Sequence, residues 1–271
     1  MIAVPTHIEK GDGEVILFLH GVGGGAYSWM PQINSFSMNY LAAAWNMPGY
    51  GKSPLFGAMT FPALADALEA LLDDRGWEKV HLVGHSMGGM VAQEFAVDRQ
   101  DRLLSLTLSA TSPAFGKPDG EFQKKFVDAR LAPLADGATM ADLATELVET
   151  MMSKDADPHG RQLAFDCMAD VAADTYRAAV ECIVTFEQRA NEDSRGPLRL
   201  PAGTRPPCKP RRPAGIRCRA ERFSKHRFPI SQKEAHMAAV SKQPRKSASK
   251  RTARKKPKAF KWQKMAGKND E

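Results

Sequence analysis

VHLVGHSMGGMVAQEFA, residues 80–96, divides into three parts. An apolar run (Val80, Leu82, Val83) stops at Gly84-His85-Ser86-Met87-Gly88, and Met90, Val91, Phe95 and Ala96 follow at helical spacing. A strand, a sharp turn holding a serine and a helix together form a device for presenting a nucleophile. Gly84 and Gly88 flank Ser86 because so tight a turn leaves no room for side chains there. The helix behind it aims amide groups and a positive dipole end at any oxyanion forming beside the serine. The competing reading is a glycine-rich surface loop with an idle serine. The strand before and the helix after favour the nucleophile.

Upstream, Glu14-Val15-Ile16-Leu17-Phe18-Leu19 is a short apolar, β-branched run of the kind that forms a buried central strand. It runs directly into His20-Gly21-Val22-Gly23-Gly24-Gly25. A phosphate-binding loop would end in Gly-Lys-Ser/Thr, and Ala26-Tyr27-Ser28 does not supply it. Leu41 to Asn46 is a second apolar run, closed by the loop Pro48-Gly49-Tyr50-Gly51-Lys52-Ser53. Phe61 to Arg75 places Leu64, Leu68, Leu71 and Leu72 on one helical face, with Gly76 where a C-terminal cap belongs. Leu103 to Leu108 gives a further strand. Strands alternating with helices predict an α/β fold with a mostly parallel sheet covered on both faces.

Residues 14–112 resemble the first half of an α/β-hydrolase, carried by three motifs in order: His20-Gly21, Pro48-Gly49-Tyr50-Gly51-Lys52-Ser53 and Gly84-His85-Ser86-Met87-Gly88-Gly89. The similarity is greatest to small-molecule hydrolases that include enol-lactonases and carbon–carbon bond hydrolases. The resemblance implies Ser86 as nucleophile and the backbone N–H groups of Val22 and Met87 as the oxyanion hole. It implies no metal and no cofactor. Asn46 stands where related proteins commonly carry Asp, and is read as a loop-stabilising residue. His20 is expected to be structural, and His85 to pack beside the strand end.

Residues 113–193 lose the strand signal. Asp119–Arg130, Met140–Ser153 and Gly160–Arg189 read as helices, matching the cap that related hydrolases insert over the serine. Met140, Met151, Met152 and Met168 are expected to fill gaps between helices rather than line a substrate site.

The chain changes character after residue 193. Residues 1–193 hold 14 Lys+Arg against 27 Asp+Glu, whereas residues 194–271 hold 24 against 4, so the net charge of +7 describes neither part. The later segment is rich in Pro, Arg and Lys, with the composition of a disordered cationic arm. A triad would need an acid and then a histidine after the nucleophile, each following a strand. The resemblance leads one to expect, after the cap, an apolar strand running into Gly-x-x-Asp and later a Gly-His with a Glu-x-Pro nearby, and neither pattern is present. Glu221, Glu234, Asp270 and Glu271, with His226 and His236, stand in no strand-end context, so the triad His and acid are unassigned. The second half of the core is therefore read as missing or replaced, with an altered reading frame as the favoured cause over a native basic extension or a solvated segment without a partner. Three segments result: 1–112 as half a hydrolase core, 113–193 as a helical cap and 194–271 as a basic tail.

The remaining expectations are those of a cytoplasmic protein. No window approaches the ~20 apolar residues of a membrane helix, the first residues lack a signal-peptide pattern, and the four cysteines show no metal-ligand spacing. The expected partner is a small carbonyl compound: an ester, a lactone or an activated C–C bond. An acyltransferase, perhydrolase or lyase on the same scaffold is an open alternative. So is an inactive hydrolase-like protein whose tail binds nucleic acid or an acidic partner, a reading that is not favoured.

Overall fold

The computed structural model describes residues 4–55, 57–116 and 120–189. The segment 194–271, with its histidines and acids, lies outside them. Among the described residues, five strands form one sheet: β1 (His7–Lys10), β2 (Val15–Leu19), β3 (Leu41–Trp45), β4 (Val80–His85) and β5 (Leu103–Ser109). Their order is β1-β3-β2-β4-β5. The β2–β3, β2–β4 and β4–β5 pairs are parallel, and β1 alone runs antiparallel, against β3. The architecture is the expected α/β arrangement, a mostly parallel sheet flanked by helices.

The central position of β2 explains its unbroken apolar run, since all five residues are buried. Ile16 and Phe18 face one side, where they join Ala42, Ala44 and Ile33 of α1 (Met30–Phe36). Val15, Leu17 and Leu19 face the other, in the larger cluster with α2 (Phe61–Asp74) and α3 (Met87–Asp98). In α2 the leucine stripe Leu64, Leu68, Leu71 and Leu72 is almost wholly buried. Thr60 caps its start, accepting from Ala63 N–H. Its end is set by Gly76 at φ +65°, a left-handed conformation that glycine adopts freely.

Beyond β5 come α4 (Glu121–Ala135), α5 (Met140–Met151), α6 (Pro158–Ala169) and α7 (Ala173–Ile183). The predicted helix over 160–189 is two helices, broken at residues 170–172. The two ends of this helical segment meet. Ala114 bridges Glu187 in antiparallel fashion, Phe115 N–H donates to Phe186 O at 2.9 Å, and Gln188 N–H donates to Pro113 O at 2.7 Å. Among the described residues, no helix is long and apolar enough to cross a membrane.

Candidate active site

β4 ends and α3 begins within two residues, and the turn between them is built on backbone crowding. Ser86 has φ 52° and ψ −121°, a conformation that costs on the order of 1–3 kcal/mol and persists only where its surroundings enforce it. Those surroundings are two glycines. A Cβ on Gly84 would lie 2.5 Å from Gly88 O and 2.6 Å from Gly89 Cα. One on Gly88 would collide with the carbonyl oxygens of Leu19 and His20 at the end of β2. The serine amide is tied to the next strand, Ser86 N–H to Ser109 O at 2.9 Å. Met87 is the first residue of α3, so its N–H has no carbonyl one turn back within the helix.

The loop after β2 lies directly beside the serine. A Cβ on Gly21 would sit 2.9 Å from Ser86 Cβ and 3.3 Å from its Oγ. Gly24 N–H donates to Gly21 O at 3.0 Å, closing a turn over Gly21-Val22-Gly23-Gly24. Gly23, third in that turn, has φ +77°, the requirement of a type II turn. Val22 thus stands at the tip of a glycine turn whose base touches Ser86.

His20 is the structural residue that the sequence led us to expect. It is 1% exposed, its Nδ1–H donates to Gly21 O at 2.9 Å, and its Nε2 accepts from Met47 N–H at 3.1 Å. Both ring nitrogens are engaged and the neutral tautomer is defined, since a carbonyl can only accept and an amide can only donate. Burial drives its pKa down from 6.5 to about 4, with the Gly21 bond a smaller opposing influence. His85 differs from expectation: it is exposed rather than packed beside the strand end. Strand alternation explains this, because His81, Val83 and His85 share the less buried face of β4. Protein around His85 still withdraws enough water to lower its pKa. Among the described residues no side chain hydrogen-bonds to Ser86 Oγ.

Asn46 holds the neighbouring loops together. Its Oδ1 accepts from Ala26 N–H at 2.9 Å, and its Nδ2 donates to Thr6 Oγ1 at 3.0 Å. Ser53 Oγ donates to Asn46 O at 2.7 Å, so Thr6 Oγ1, 3.0 Å away, must be the donor to Ser53 Oγ. The result is a closed one-way ring of hydrogen bonds: Asn46, Thr6, Ser53 and back to Asn46. An aspartate could not start it.

The helical segment reaches both loops. Thr175 of α7 donates to Gly49 O at 2.9 Å, and Met168 of α6 packs on Gly23. Met140 and Met168 are buried, as gap-fillers should be, whereas Met151 is 56% exposed. Among the described residues, no cluster of three or more His, Cys, Asp or Glu could hold a metal ion.

Comparison with known proteins decides the family. A model described as the α/β hydrolase fold matches residues 14–156, more than half of the chain. The chain belongs to the α/β hydrolase fold family. This α/β hydrolase is 38% identical over 104 residues to the dihydrolipoyllysine-residue acetyltransferase component of an acetoin cleaving system from Cupriavidus necator, covering 38% of the chain and 28% of that protein. It is 34% identical over 137 residues to a putative carbamate hydrolase from Variovorax paradoxus, covering 48% of the chain and 50% of the relative. The chain thus spans half or less of the length of these curated relatives. In fold it is similar to the enol-lactonase of Burkholderia xenovorans, with a TM-score of 0.59 and 20% identity over 68% of the chain and 72% of the enzyme.

Proposed function

We propose that this α/β hydrolase descends from, and retains the nucleophile site of, a serine hydrolase of small esters, lactones or activated C–C bonds. The observation that carries the reading is the strained Ser86 at the β4–α3 turn, with the Gly21–Gly24 turn against it. Ser86 Oγ attacks the substrate carbonyl carbon, and the oxyanion that forms accepts from Val22 N–H and Met87 N–H. Collapse breaks the bond to the leaving group, which departs with a proton, and water then releases the acyl group from Ser86. The similarities to a carbamate hydrolase and to a pimeloyl-carrier-protein methyl ester esterase support a carbonyl substrate. The helices α4–α7 would form a cap over this site.

His20 is unsuited to take the serine proton, because both of its nitrogens are bonded and its basicity is low. The triad acid and histidine are not among the described residues. Without a triad member, rates in such enzymes remain only ~10³–10⁴ above water, so slow turnover is expected. The test is p-nitrophenyl acetate with the full chain and Ser86→Ala, read by p-nitrophenolate release and by peptide mass mapping. An acetyl group on Ser86, absent in the variant, is the expected result. Acetylation elsewhere or nowhere refutes the reading. Fast turnover abolished by Ser86→Ala would refute the expected impairment and show that the later segment supplies a base.

A further inference from the structure

The helix α6 makes a contact that packing between helices does not require. Met168, 5% exposed, is packed on the Gly21–Gly24 turn at Gly23. Its Cε, Cγ and Sδ lie 2.6, 3.2 and 3.6 Å from where a Cβ of Gly23 would be, so the methionine fills the space of the missing side chain. The preceding residue, Cys167, lies beside Ser28, where α6 packs on the short 3-10 helix Ala26–Trp29. Ser28 Oγ in turn accepts from Gly25 N–H at 3.1 Å. Met168 therefore holds the loop at Gly23, immediately downstream of Val22, while Cys167 lies beside the serine that holds Gly25.

A glycine-rich loop needs such a hold. Four of the five residues 21–25 are glycine, and glycine loses more conformational freedom on ordering than any other residue. The turn itself is closed by one backbone hydrogen bond, Gly24 N–H to Gly21 O. An oxyanion donor works only when it is fixed before the charge forms. Left to its own sequence, the tip at Val22 would sample several orientations. Met168, a buried member of the core, removes that freedom.

We infer that Met168 is a positioning residue for the Val22 amide, so that α6 completes the oxyanion hole as well as packing against α5. The inference rests on the function proposed above, with Val22 N–H as a donor. Methionine suits the task because its flexible, polarisable chain follows an irregular cleft. Leucine, of similar volume, should substitute for it with little loss. Alanine should leave the turn unsupported.

The test uses the full chain with Met168→Ala, Met168→Val and Met168→Leu, and an alkyl fluorophosphonate as probe. Labelling forms a bond from Ser86 Oγ to phosphorus, expels fluoride and passes the hydroxyl proton to solvent, while the phosphoryl oxygen needs the same donors as the oxyanion. We expect Met168→Ala to slow labelling of Ser86 by roughly 10- to 100-fold, the scale on which ångström misplacements act. Met168→Val should fall between, and Met168→Leu should recover to within a few-fold. Amide hydrogen exchange at Gly24, the reporter of the closed turn, should quicken in the alanine variant while Leu17 in β2 stays protected. A residue that is only packing would lower the unfolding midpoint and leave both readouts unchanged in the folded protein, and that result overturns the inference. Should Met168→Ala not fold, the valine variant carries the same two readouts. If the wild-type chain is never labelled at Ser86, the proposed function falls. Exchange at Gly24 then decides alone whether Met168 holds the turn.

Discussion

His20 should make the protein acid-sensitive well above the range in which carboxylates titrate. In the unfolded chain its imidazole gains a proton near pH 6.5, but in the fold only near pH 4, because burial excludes water from the charged form. Between these values the unfolded state binds more protons than the folded one, so stability falls as pH falls. The stabilising effect of keeping His20 neutral is complete above pH 6.5. At about 1.4 kcal/mol per pH unit, roughly 2 kcal/mol is lost by pH 5 and about 3 kcal/mol by pH 4. Glu187, lowered from 4.5 to about 2 chiefly by its hydrogen bonds with Arg189, loses its stabilisation below pH 4.5, so it overlaps only the lowest end of that window. The comparison is with His20→Gln, whose amide can donate to Gly21 O and accept from Met47 N–H but cannot titrate. Urea unfolding of both proteins at pH 7.5, 6, 5 and 4.5 gives the two slopes. His85 titrates in both and cancels in the difference. We expect the wild type to lose about 2 kcal/mol more than the variant between pH 7.5 and 5. Parallel slopes would refute the burial argument, as would a His20 ring resonance titrating near pH 6.5 in the folded wild type.

Two further substitutions probe how the site is held. Gly88→Ala drives a methyl group into the carbonyl oxygens of Leu19 and His20, backbone atoms that cannot rotate aside. It should cost about 3 kcal/mol or more, at the upper end for overpacking. A wild-type urea midpoint would show that the turn has slack. Thr6→Val breaks the hydrogen-bond ring at its relay and should cost about 1–2 kcal/mol. Combined with Ser53→Ala, it should add less than the sum of the two single changes, and strict additivity in a double-mutant cycle would argue against a ring.

The parts of this molecule legible in the sequence are those where backbone geometry admits few residue types. Gly84 and Gly88 could be read from their spacing about Ser86 because only glycine fits that turn, and Gly76 could be read as a helix stop for a similar reason. The run Val15–Leu19 spelled a central strand because both of its faces are buried. The strand β1 escaped notice: four residues, His7-Ile8-Glu9-Lys10, alternate too briefly and bury too little to stand out. The break at residues 170–172 was also hidden, since Asp-Val-Ala contains neither proline nor glycine, and the turn is closed by local backbone bonds such as Val171 N–H to Met168 O. The direction of His85 required strand parity, which the sequence of the turn does not fix. The contacts Met168–Gly23 and Thr175–Gly49 join residues more than a hundred positions apart, and no local pattern announces such pairs.

The joined neck at Ala114 and Glu187 has a consequence for how such a chain can change. Loop-closure entropy rises with the length of an unpinned connection, yet here the ends are fastened to each other by backbone hydrogen bonds, at Phe115–Phe186 and Pro113–Gln188. To the sheet, the whole helical excursion is equivalent to a short hairpin leaving and returning at one point. Its contents can be lengthened, shortened or exchanged as a cassette, provided the neck and the α7 side chains that share the core with β2 and β4, Tyr176, Val180 and Ile183, are kept. What a replacement would have to supply anew is a residue to fill the hollow at Gly23.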